Sequence, residues 1–61
     1  MSDLFPPTLQ DMITEVEREI AARENIYPRL VADGRATQEK VDRQMARMRA
    51  VLANLRTQLS P

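Results

Sequence analysis

A chain of 61 residues holds one small domain at most, and with no Cys and no His it cannot use disulfides, the usual zinc ligand sets or imidazole acid–base chemistry. One Phe, one Tyr and no Trp leave little aromatic mass for a core or for stacking on bases. The formal net charge is zero but divided, with seven acids and three bases in residues 1–34 and two acids and six bases in residues 35–61.

Residues 1–7, MSDLFPP, read as a flexible tail, because Pro6 and Pro7 lack amide donors and bias their preceding residues away from helix. Thr8 is a suitable N-cap, and Asp11 supplies an acid for the first-turn amides. From there Leu9, Ile13, Val16, Ile20, Tyr27 and Leu30 follow at spacings of 4, 3, 4, 7 and 3. This is a heptad seam with one position, Arg23, filled by a charge. Met12, Ile26 and Val31 widen the apolar stripe. The pattern predicts a helix over about 8–33.

Pro28 falls inside that pattern, where a proline removes one hydrogen bond and clashes with the preceding turn. Because Leu30 and Val31 stay in phase beyond it, the expected result is a kink, or a helix restarted with Pro28 in a first turn. The bend would lean Leu30 and Val31 over Val41. The YPRLVADG segment then serves as a hairpin closure or, alternatively, as an exposed recognition tip. Gly34, the single glycine, stands where a left-handed residue is wanted after a helix.

Thr37 caps a second expected helix over 37–59, with Glu39 in its first turn. Its seam reads Val41, Met45, Met48, Leu52, Leu55 and Leu59, at spacings of 4, 3, 4, 3 and 4. A connection of a few residues places the helices antiparallel, so the expected fold is an all-α helical hairpin occupying residues 8–61. Folding back sets the acidic stretch Asp11–Glu24 beside the basic stretch Arg43–Arg56, which accounts for the divided charge.

Several of these residues also carry a resemblance. Glu15 to Ile20, the pair Tyr27-Pro28, the run Val31 to Gly34 and the run Met48 to Leu52 resemble a family of very small, uncharacterised bacteriophage and prophage proteins. Its signature is a Tyr-Pro pair followed by a Val-Ala-x-Gly turn, and the resemblance covers roughly residues 13–59. It implies a phage or prophage origin and a compact helical protein, and brings no activity with it. In the tail, Ser2 to Phe5 is similar to the latter part of the short peptide that docks bacterial proteins on the replication sliding clamp. Met1 stands where that peptide opens with Gln. Leu4 and Phe5 are thus a candidate docking tail, or else a lid folded back on the open end of the hairpin.

Neither a phosphate-binding glycine loop nor a nucleophile–base pair is present, so the expectation is a non-enzymatic protein with no cofactor and no metal. Glu15, Glu17 and Glu19 form an acidic patch that reads as a solvated or ion-paired face rather than a cation site. Arg43, Arg47, Arg49 and Arg56 are candidate nucleic-acid contacts, but they do not make one stripe and have an acidic helix beside them. Arg23 in the apolar seam can fix register or oligomeric state, lay its stem along Met48, or meet a foreign target.

Small scaffolds of this kind need a partner to cover their apolar stripes. The expected assembly is a homodimer forming a four-helix bundle. Its interface would draw on Ile13, Val16, Ile20, Arg23, Ile26, Tyr27, Leu30, Met45, Met48, Leu52, Leu55 and Leu59. No stretch approaches the ~20 apolar residues of a membrane span and the start lacks a signal-peptide pattern, so the bacterial cytoplasm is the expected location. The functional expectation is an adaptor or inhibitor acting on a host or phage protein through a helical surface. A nucleic-acid accessory protein and a structural assembly piece are the alternatives.

Overall fold

A computed structural model describes residues 5–60. Two helices make up the architecture, α1 (Leu9–Ala32) and α2 (Gln38–Leu59), packed as an antiparallel hairpin. Each begins one residue later than its pattern predicts, because Thr8 and Thr37 are caps in extended conformation. At Thr8 the capping is reciprocal. Its hydroxyl accepts from the Asp11 amide at 3.1 Å, while the Asp11 carboxylate accepts from the Thr8 amide at 2.9 Å. Thr37 accepts from the Lys40 amide at 3.1 Å.

The turn is closed by backbone geometry. Gly34 has φ +72°, and its amide donates to the Val31 carbonyl at 3.1 Å while that of Arg35 donates to Leu30 at 2.8 Å. These bonds satisfy carbonyls that the end of α1 would leave without partners. A Cβ at Gly34 would meet nothing within 4 Å, so the cost of a side chain there lies in the backbone alone. Gly34→Ala is expected to lower stability by ~1–2 kcal/mol, and Gly34→Asn by less, in urea titrations at fixed chain concentration.

Pro28 lies inside α1, which runs without interruption to Ala32. The restarted-helix alternative is therefore corrected: one helix passes through the proline. Lacking an N–H, Pro28 leaves the carbonyl four residues back, that of Glu24, without its helical donor. Glu24 is exposed, so water reaches that region.

Ile13, Ile20, Met45 and Leu52 form the buried cluster between the helices, with Leu9, Val16, Tyr27, Met48 and Leu55 packed partly buried against it. Val41 is buried beside the turn. Four of the expected interface residues, Ile13, Ile20, Met45 and Leu52, thus face the partner helix of their own chain. They are not open to a second chain. Sequence spacing could not separate these two uses, because a heptad stripe looks the same whichever helix covers it.

The hairpin is a single layer, 13 Å through its thinnest dimension. One layer of two helices has two broad faces, and their difference defines the site. No helix among the described residues is long and apolar enough to cross a membrane.

Candidate functional site

The two broad faces of the hairpin are chemically unlike. On one, Arg49 donates to Glu24 at 2.8 Å and Arg56 to Glu17 at 2.6 Å, both pairs spanning from helix to helix. Moving from the second pair to the first advances seven residues along α1 and retreats seven along α2, so the pairs hold one antiparallel register. Each is exposed and contributes roughly 0–1 kcal/mol. Their effect is on register, since sliding one helix along the other separates both pairs at once. Toward the turn this charged face opens into a groove of about 540 Å³ whose lining includes Tyr27, Pro28, Val31, Val41 and Ala46.

The opposite face is apolar. Helical spacing places Met12, Val16, Ile26 and Leu30 of α1 there, beside Met48, Val51 and Leu55 of α2. Met12 is 44% exposed, Ile26 49% and Val51 49%, high values for large apolar side chains; the helix register sets Val51 near Ile26, with Met12 farther toward the open end. A second groove, about 480 Å³, runs over this face along Arg23, Ile26, Tyr27, Gln44, Arg47 and Met48.

Two polar features interrupt the apolar face. Arg23 donates through Nε to Glu19 Oε1 at 3.0 Å, one helical turn back. That hydrogen bond, more than any other influence, holds the guanidinium pKa above its usual value. The Tyr27 hydroxyl donates to Gln44 Oε1 at 2.8 Å, bridging α1 to α2. Both Tyr27 and Gln44 are half-buried. Tyr27→Phe would leave the amide oxygen without its donor. It is expected to cost ~1 kcal/mol in urea titration at fixed concentration, with Tyr27→Phe/Gln44→Leu recovering most of the loss.

The predicted residues therefore separate into groups. Val16, Arg23, Ile26, Leu30, Met48 and Leu55 share the apolar face, Tyr27 lines both grooves, and Leu59 stands 51% exposed at the end of α2. The candidate nucleic-acid residues are not gathered. Arg49 and Arg56 lie on the charged face in ion pairs, Arg43 pairs with Glu39 at 2.6 Å, and Arg47 lines the groove on the apolar side. Phosphate would have to displace those carboxylates. Glu15, Glu17 and Glu19 are divided among Arg18, Arg56 and Arg23, and no cluster able to hold a metal ion occurs among the described residues.

In the candidate tail, Leu4 lies outside the described residues. Phe5 is 78% exposed, so its side chain is not folded back as a lid. Sequence reasoning missed Val51 and Gln44. Val51 lies off the main seam of α2, and only its spacing from Met48 and Leu55 could have placed it in a second stripe. Comparison with protein-family models, with curated proteins and with solved structures gave no match.

Proposed function

We propose that this chain is a small, non-enzymatic interaction module of phage or prophage origin, acting in the bacterial cytoplasm by burying its apolar helical face against another helical chain. Such an assembly would serve as an adaptor or inhibitor toward a host or phage protein. The observation that carries the reading is the segregation of the two faces. The interhelical ion pairs lie on one side, while Met12, Ile26 and Val51 stand exposed along the other. Large apolar side chains left exposed on one face of a helical scaffold are a feature of association surfaces. The phage and prophage origin rests on the resemblance of the Tyr27-Pro28 and Val31 to Gly34 motifs.

The test is site-specific photo-cross-linking in bacterial cells. A photoreactive side chain at Val51, on the apolar face, is expected to trap a protein adduct. The same group at Ala46, which lines the charged-face groove, is expected to trap much less. Adducts at neither position, or at Ala46 alone, would contradict the proposal.

A further inference from the structure

The α1 side of the apolar face has an internal symmetry that packing within the chain does not need. Along α1 the stripe reads Met12, Val16, Glu19, Arg23, Ile26, Leu30, at spacings of 4, 3, 4, 3 and 4. Read in reverse, it gives apolar, apolar, base, acid, apolar, apolar. About the level of Ala21, Met12 exchanges with Leu30, Val16 with Ile26 and Glu19 with Arg23. Spacing alone would make any heptad stripe reversible. The informative feature is that reversal sets acid on base and apolar on apolar.

The stripe on α2 carries no charge in its middle. Met48, Val51 and Leu55 are all apolar, so a reversal near Val51 sets apolar side chains on apolar side chains there. The register fixed by the Glu17–Arg56 and Glu24–Arg49 pairs sets Ala21 of α1 across from Leu52 of α2, beside Val51. One line across the face, perpendicular to the helices, therefore runs from the centre of the α1 stripe to the apolar middle of the α2 stripe.

A line of that kind is what a two-fold axis needs in an isologous dimer, where each contact is repeated with its partners exchanged. We propose that the partner covering the apolar face is a second copy of this chain, turned about that line. In this arrangement α1 lies antiparallel on α1 of the other copy, and α2 on α2, giving a four-helix bundle. Glu19 of each protomer receives the guanidinium of Arg23 from the other, closing a neutral ring of two acids and two bases at the centre. Arg23 uses Nε on its own Glu19, which leaves its terminal nitrogens to reach across. Val51 meets its own counterpart near the axis.

The other symmetric stacking, with α1 over α2 of the second copy, would set Glu19 and Arg23 opposite apolar Val51 without a reciprocal charge.

This inference rests on the interaction-module reading and is tested by charge reversal followed by sedimentation. Wild type is expected to sediment as a dimer in the micromolar range. Arg23→Glu places four carboxylates at the centre and Glu19→Arg places four guanidinium groups, so each alone is expected to self-associate roughly 100-fold more weakly. Mixed in equal amounts, the two variants supply acids from one chain and bases from the other and are expected to form a heterodimer. Helicity lost in either variant alone should return on mixing. The double exchange Glu19→Arg/Arg23→Glu is expected to restore self-association. A wild type that remains monomeric overturns the second copy as partner. A mixture that does not associate, or single reversals that dimerise as tightly as wild type, overturns the reciprocal register. Each of these failures leaves the interaction-module reading standing if Val51 still cross-links to a foreign protein. Absence of any adduct at Val51 removes both.

Discussion

Leu52→Ala is expected to leave most of the chain unfolded at physiological temperature. Leu52 is 9% exposed and belongs to the buried cluster it forms with Ile13, Ile20 and Met45 between the two helices. Truncating a buried Leu removes its transfer free energy and leaves a cavity that the surroundings fill only in part, at a cost of ~2–5 kcal/mol. A core of this size rarely supplies more than ~3–5 kcal/mol in total. One substitution is then comparable with the whole net stability. Circular dichroism would read the outcome as loss of most helical signal, at a chain concentration where wild type is fully helical. Thr14→Ala, at an exposed position of α1, serves as control and is expected to change stability by no more than ~0.5 kcal/mol.

Pro28→Ala should have the opposite sign. A proline in a helix interior is ~3 kcal/mol less favourable than Ala. Part of that is returned because proline also restricts the unfolded chain, by ~0.4–1 kcal/mol. The alanine would supply the missing donor to the Glu24 carbonyl and remove the ring from the preceding turn. A net gain of ~2 kcal/mol corresponds to a melting temperature roughly 10 °C higher for a domain of this length. No change, or a loss, would mean that the ring makes compensating contacts in the groove it shares with Tyr27 and Val31. A stabilising substitution at this position would also suggest that proline is kept for the shape of the turn end rather than for folding.

The helix boundaries were legible because each depends on local chemistry. Thr8, Thr37 and Gly34 act through hydrogen bonds and dihedral angles that extend only three or four residues along the chain. The hairpin itself followed from the two seams and the short connection. Which residues would be buried and which left for another chain was not legible. Ile13 and Val16 belong to the same stripe, yet Ile13 is 3% exposed and Val16 only half-buried, because the rotation of α1 against α2 decides the matter. The charge partners were legible only in outline. The acidic and basic stretches were bound to meet, but the choice of Arg49 for Glu24 and Arg56 for Glu17 depends on register. Tyr27 was expected to need a partner for its hydroxyl, and the register supplies Gln44. The reversible stripe on α1 is visible in the sequence alone, but which residues of α2 lie level with its centre emerges only when the ion pairs fix how far one helix is slid along the other.

Thermal unfolding followed by circular dichroism over a hundredfold range of chain concentration tests the central claim most directly. If the exposed face is covered by another copy, folding and association are linked and the melting temperature rises steadily with concentration. A fully helical chain whose melting temperature is the same at every concentration would contradict the account.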